Sequence, residues 1–147
     1  MEKKSKKEGE PRRIVYIMRG ISGSGKSTLA RKLAGTEGVI HSTDDYFVVN
    51  GEYVHDPSKT RENHERNKEA FIKSLAEGKP IVIVDNTNAQ RFEYEPYLDL
   101  AEQYGYEVIF KEMPMPNPSE AVKRNIHKVP EDTVKRQIQN WEESITG

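Results

Sequence analysis

The sequence has 147 residues, 34% hydrophobic and 32% charged, enough for one hydrophobic core and too few for two ordinary ones. Lys and Arg number 23 against 24 Asp and Glu, a net charge of -1, so no overall basic field marks a polyanion binder and any such partner must be held locally. There is no cysteine, which excludes a disulfide framework, a thiolate zinc site and a thiol nucleophile. The longest apolar runs, about five residues, fall far below the roughly 18 needed to cross a bilayer, and no apolar leader opens the chain. The expectation is an intracellular protein, cytoplasmic or nuclear.

In chain order, residues 1–13 carry Lys3, Lys4, Lys6, Lys7, Arg12 and Arg13 against Glu2, Glu8 and Glu10, a local charge of +3 that leaves -4 for the rest. Residues 1–12 read as a disordered basic tail, either solubilising or an address or nucleic-acid hold. The run Ile14 to Met18 predicts a strand buried on both faces. After a Gly- and Ser-rich turn, Lys26 to Leu33 reads as a helix with Leu29, Ala30 and Leu33 inward, and Val39 to Thr43 as a second strand. Asn50-Gly51 between apolar residues of Tyr46 to Val54 predicts a hairpin. A helix from about Ser58 to Glu77 follows, with Ala70, Phe71 and Leu75 inward and a first half too polar to be buried, ending at Gly78. Ile81 to Val84 is a third apolar strand, and Phe92 to Tyr104 and Tyr106 to Lys111 complete another alternation of helix and strand. Asn117, Pro118 and Glu120 start a helix over Ser119 to Lys128. A last helix over Glu131 to Ser144 aligns Val134, Ile138, Trp141 and Ile145 as a docking stripe in which Trp141 is a core anchor. Alternating strands and helices predict an α/β sandwich with a mainly parallel sheet, in which ligands bind at the carboxyl ends of the strands.

The first such end carries the strongest signal. Gly20, Ile21, Ser22, Gly23, Ser24, Gly25, Lys26 and Ser27 match the phosphate-binding loop G-x-x-x-x-G-K-[ST], in the required strand, loop, helix context. Backbone N–H groups of such a loop wrap a phosphate, Lys26 reaches the β and γ phosphates, and the Ser27 hydroxyl can ligate Mg²⁺. Thr28 stands where a dinucleotide fingerprint starting at Gly23 would need glycine, which disfavours NAD.

Two further strand ends carry acids. Ser42-Thr43-Asp44-Asp45 offers a carboxylate that could accept a proton from an attacking hydroxyl. On an extended segment the two aspartates face opposite ways, so one is catalytic and the other structural, or both cap a turn. Asp85, directly after four apolar strand residues, fits a Mg²⁺-supporting acid, and the amides of Asn86 and Asn88 that follow could line an acceptor site, or the segment is a strand-end turn. Lys123, Arg124, His127 and Lys128 form either a lid that meets transferring phosphate or a solvated basic face, and the four histidines have no metal-ligand spacing.

Arg19 to Ala30, Ser42 to Phe47, the Asn-Gly hairpin, Val84 to Asn88 and Lys123 to His127 together resemble the P-loop kinase family that contains the phage and bacterial 5′-hydroxyl polynucleotide kinases. The pattern is most like the branch found in Nedd4-binding-protein-2-like proteins, and is similar to the N-terminal kinase-like module of cyclic nucleotide phosphodiesterase. The resemblance covers Arg13 to Glu143 and implies a P-loop NTPase three-layer sandwich over 13–147 with a C-terminal helical lid, as that module alone. It implies ATP and Mg²⁺ as cofactors and the 5′-OH of RNA or DNA ends as acceptor, with a small-molecule alcohol or a non-catalytic ATP-binding module as alternatives. By motif position Asp44 is the general base and Asp45 a supporting residue. Gly20, Ser22, Gly23, Ser24, Gly25, Lys26, Ser27 and Thr28 hold the nucleotide, with Ser27 and Asp85 on the metal. Asn86 and Thr87 sit on the acceptor side, and Lys26, Arg124 and Lys128 meet the transferring phosphoryl. Two departures bear on the acceptor: Phe47 replaces an arginine that contacts substrate phosphate in the phage enzymes, and Lys128 replaces a second lid arginine, keeping charge without the bidentate fork.

Overall fold

The computed structural model describes residues 12–21, 24–54, 56–114 and 131–141, without the side chains of Glu131 and Val134. Its elements are β1 (Ile14–Arg19), α1 (Lys26–Ala34), β2 (Gly38–His41), a 3-10 turn (Thr43–Phe47), β3 (Val48–Val49), β4 (Glu52–Tyr53), a 3-10 turn (Pro57–Lys59), α2 (Thr60–Ala76), β5 (Ile81–Asp85), α3 (Arg91–Gln103), β6 (Glu107–Glu112) and α4 (Glu131–Gln139). The expected basic tail, apart from Arg12, and the expected helix over Ser119 to Lys128 lie outside the described residues.

Four strands form a parallel sheet in the order β2-β5-β1-β6, with Ile14 opposite Ile81 on one side and Glu107 on the other. Alternation along β1 and β5 divides their side chains between two cores. Val15, Ile17, Val82 and Val84 meet Phe71 and Leu75 of α2 and Tyr94 and Tyr97 of α3. Met18 and Ile83 meet Ala30 and Ala34 of α1 on the opposite face. This is the expected three-layer α/β sandwich. From β1 the chain passes beyond β5 to reach β2, whereas from β5 it crosses β1 to reach β6. The two connections leave in opposite directions, so the crevice at the carboxyl ends of β1 and β5 is the switch point where such sheets hold ligands.

The Asn-Gly hairpin forms as expected: Val48 pairs with Tyr53 and Val49 with Glu52, across Asn50 (φ 52°) and Gly51 (φ 83°), both in the left-handed region that two-residue hairpin turns require. Three expectations are corrected. β2 ends at His41, and Thr43 begins a 3-10 turn instead of closing the strand. The ladder with β5 ends at the His41–Val84 pair, and the Thr43 N–H is taken by the Asn86 side chain, which turns the backbone out of the sheet. The first half of α2 is not wholly solvated, because Asn63 and Asn67 are buried on the same face as Phe71, where Asn67 is paired with a side chain of α3. The last helix stops at Gln139, short of Ser144, and Asn140 and Trp141 lie beyond it, with Ile138 and Trp141 packed on Ile21.

Candidate functional site

The nucleotide end of the crevice is built where α1 starts. Gly25 precedes α1 at φ 87°, a conformation strained for any residue with a Cβ, and lets the chain turn directly from loop into helix. The first helical residue, Lys26, is 9% exposed and its Nζ lies 2.7 Å from Asp85 Oδ1. Ser27 Oγ donates to Asp85 Oδ2 at 3.0 Å. One carboxylate at the end of β5 therefore engages both functional side chains of the loop, although it lies 58 residues from Ser27 in sequence. The loop is also tied to the neighbouring strand end by Gly20 N–H donating to the Thr87 carbonyl at 3.1 Å, and by Asn88 Nδ2 donating to the Met18 carbonyl at 2.7 Å. Asn88 adopts φ 50°, and its amide makes that bond from a fully buried position.

These residues fit a nucleotide phosphate and a divalent cation. Ser24 Oγ is buried with no hydrogen-bond partner among the described residues, a polar atom beside the loop that a phosphate oxygen would satisfy. The Ser27 hydroxyl and Asp85 carboxylate meet as hard oxygen donors of the kind Mg²⁺ takes, and the Lys26 ammonium supplies the charge a phosphate needs. Thr28 is exposed on α1, while Ser22 and Gly23 lie outside the described residues.

Beneath this end sits a cation that sequence reading did not single out. Arg19 is fully buried, with Nε and Nη2 donating to the carbonyls of Asn88 (2.8 Å) and Ala89 (3.0 Å) and Nη1 to Glu112 Oε1 (2.7 Å). Its guanidinium is 5.1 Å from the Tyr94 ring and 4.5 Å from the Trp141 ring. Trp141 is therefore an anchor, as expected, and its main partner is a buried charge.

A second feature at this side of the sheet is a cleft of about 240 Å³ lined by, among others, Asp44, Phe47, Tyr53, His64, Asn86 and Arg136. Asp44 is half-buried in that cleft, whereas Asp45 is exposed. They diverge as expected, although a 3-10 turn and not an extended segment separates them. Burial, and secondarily the Asp44 charge, push the Tyr53 hydroxyl up to about 12, so it stays protonated beside the carboxylate. Burial pulls the His64 imidazole below its ordinary value, against the opposing charges of Asp44 and Glu65. Phe47 is buried and packs on Tyr53 with ring centroids 5.9 Å apart, giving the cleft an aromatic wall. Thr87 also lines the cleft, and Asn86 Oδ1 accepts from Thr43 N–H at 2.9 Å. Arg124 and Lys128 lie outside the described residues. Sequence reading missed Tyr53 and His64, which are far apart in the chain, whereas Arg136 was among the basic residues of the last helices read as a lid or a solvated face. Asn67 was open to detection, because Asn63, Asn67 and Phe71 recur at spacings of four along one helical face.

A buried lysine at the first turn of α1, paired with an acid at the end of the adjacent parallel strand, is the arrangement of P-loop phosphotransferases. Comparison with known proteins agrees: a family model described as an AAA domain matches residues 15–145. The chain belongs to that family of P-loop kinase-like domains. Among its relatives is human NEDD4-binding protein 2, 39% identical over 145 residues that cover 90% of this chain and 8% of that protein. Among solved structures, a chain of a Pnkp1/Rnl/Hen1 complex aligns with a TM-score of 0.63 and 25% identity, covering 81% of this chain and 41% of that one. A gluconokinase from Sinorhizobium meliloti aligns with a TM-score of 0.59 and 20% identity, covering 92% of this chain and 78% of that one, a likeness of fold. The chain thus spans less than a tenth of the length of the curated relative it matches at 39% identity. No helix among the described residues of this P-loop kinase-like domain is long and apolar enough to cross a membrane.

Proposed function

We propose that residues 13–147 form a kinase domain that transfers the γ-phosphate of ATP, with Mg²⁺, to the 5′-hydroxyl of RNA or DNA. The observation that carries the reading is the Lys26–Asp85–Ser27 cluster at the end of β5, whose next two residues, Asn86 and Thr87, line the cleft that holds Asp44. Lys26 and the loop amides hold the phosphates, and Ser27 and Asp85 hold the metal, which supplies neutralisation of phosphate charge. Asp44 takes the proton of the acceptor hydroxyl as its oxygen bonds to the γ-phosphorus and the bond to the β-phosphate oxygen breaks, leaving ADP. Arg124 and Lys128 are assigned to the lid that meets charge on the transferring phosphoryl. Asp45 supports the base, and Thr87 faces the acceptor. The nucleic-acid acceptor draws support from the likeness of fold to a chain of the Pnkp1/Rnl/Hen1 RNA repair complex.

A small-molecule alcohol is the second reading, favoured by one observation: Phe47 and Tyr53 line a cleft of about 240 Å³, a size that suits a compact acceptor. Transfer of labelled γ-phosphate to 5′-hydroxyl RNA, 5′-hydroxyl DNA, mononucleosides and sugar alcohols separates the readings. Labelling of nucleic-acid ends is expected. Labelling only of small alcohols moves the function to the second reading, and ATP binding without any transfer leaves a nucleotide-binding module. For a chain of net charge -1 that touches few phosphates, binding of single strands should weaken with salt at a log–log slope of about -1 to -2, and a steep slope would contradict so short a footprint.

A further inference from the structure

The turn that carries Asp44 stands on a buried polar network that phosphoryl transfer itself does not use. Thr43 is buried; its N–H donates to Asn86 Oδ1 at 2.9 Å and its hydroxyl lies 3.3 Å from His64 Nδ1. Tyr97 of α3, 4% exposed, accepts at its hydroxyl from Asn67 Nδ2 of α2 at 3.0 Å, and the Asn86 and Thr43 side chains lie close enough to that hydroxyl to oppose the rise in its pKa that burial causes. One turn earlier on α2, Asn63 Nδ2 reaches the Tyr46 carbonyl at 3.4 Å. The short turn is therefore held from the end of β5 and from α2, with the Tyr97 hydroxyl of α3 beside it.

Burying a phenol and two amides costs free energy that aliphatic side chains in the same space would not incur, and hydrogen bonding only offsets that cost. What the pairing adds is direction. The 3-10 turn has no place in the main sheet; the hairpin that follows ties its far end, through Val54 N–H on the Phe47 carbonyl and Tyr53 on the Phe47 ring, and leaves the Thr43–Asp44 end to other partners. The network holds Thr43, one residue before Asp44, and one of its anchors, Asn86, directly follows Asp85. The strand end that engages Lys26 and Ser27 thus also holds the turn bearing the acceptor-side carboxylate.

We propose that Asn86, Tyr97 and Asn67 are positioning residues that lock the Thr43–Asp44 turn to the end of β5 and so hold the Asp44 carboxylate in register with the phosphate loop. The catalytic consequence rests on the kinase reading above; the structural lock does not. The Asn86 amide oxygen is engaged inside the protein, on Thr43, while its side chain also lines the cleft.

Two measurements on the full chain test this. Amide hydrogen exchange of Thr43 is expected to speed up about tenfold in Asn86→Ala, with a smaller rise in Tyr97→Phe and Asn67→Leu, while the amides of β1 and β5 stay protected. Asn86→Asp, which keeps the acceptor oxygen, restores the protection. Unchanged exchange at Thr43, or protection lost equally across the sheet, overturns the lock. In the kinase assay, Tyr97→Phe is expected to lower kcat about tenfold at unchanged KM for ATP, and to cause no further loss in an Asp44→Asn background. Equal losses in both backgrounds overturn the positioning role. If the wild type transfers phosphate to no acceptor, the kinase reading fails and the exchange measurement alone decides the lock.

Discussion

At the nucleotide end of the crevice, Lys26 and Ser27 stand on consecutive residues of one helical turn and meet a single acid on the adjacent strand. At the cleft that holds Asp44, the residues Asp44, Tyr53, His64, Asn86 and Arg136 arrive from separate elements, and no two of them are neighbours in sequence. The first end is a local motif completed by one long-range pair. The second exists only once the sheet, α2, α3 and α4 have assembled. A cleft built this way can change its acceptor by altering any one wall while the phosphate loop stays intact, which is how P-loop domains of one fold come to serve different hydroxyls.

The contrast is broken or sharpened by substitution. Lys26→Met should abolish nucleotide binding and transfer and, by leaving the Asp85 carboxylate buried and short of its cation, destabilise the fold by about 3–5 kcal/mol. Calorimetric titration with ATP and denaturant unfolding measure the two effects, and a stable variant that still binds ATP would show that the ends are not distinct in this way. Asp44→Asn should leave ATP binding and stability in place while lowering turnover by roughly 10² to 10⁴, the usual contribution of a general base. A normal rate for that variant removes Asp44 from the role.

Trp141→Ala touches neither end directly. It removes a ring lying 4.5 Å from the buried Arg19 guanidinium and should cost about 1–2 kcal/mol in denaturant unfolding, with Arg19 still held by Asn88, Ala89 and Glu112. The smallest effect is on pH dependence. Burial lowers the pKa of His41, at the end of β2, and of His64, beside Asp44, below the ordinary 6.5. The unfolded chain then takes up protons near pH 6.5 that the folded chain refuses, so stability falls as pH drops below that value and is complete above it. The midpoint of thermal unfolding should decline from pH 7 towards pH 5, and His41→Gln should flatten that decline. His64 is more open to solvent, so its share is smaller.

What could be read in advance follows from how local the chemistry is. β1 and β5 announce themselves as uninterrupted apolar runs, because strands covered on both faces have no solvent side to mark with polar residues. The hairpin was legible in two residues, since Asn50 and Gly51 tolerate positive φ. The bend at Thr43 was not legible, because the group that diverts its backbone is Asn86, 43 residues on. Nor was the burial of Arg19: its partners are carbonyls, a carboxylate and two rings from α3, the loop before it, β6 and the segment after α4.

By itself the sequence determined the alternating α/β class, the phosphate loop with its lysine and hydroxyl, and the acid that ends β5, since each is written in contiguous residues whose stereochemistry allows few alternatives. Only the tertiary structure decided that β1 and β5 are neighbours, that Asp85 engages both Lys26 and Ser27, and which walls Asp44 faces. Strand order and side-chain convergence depend on the packing of distant segments around a shared core, and that packing has no short-range signature.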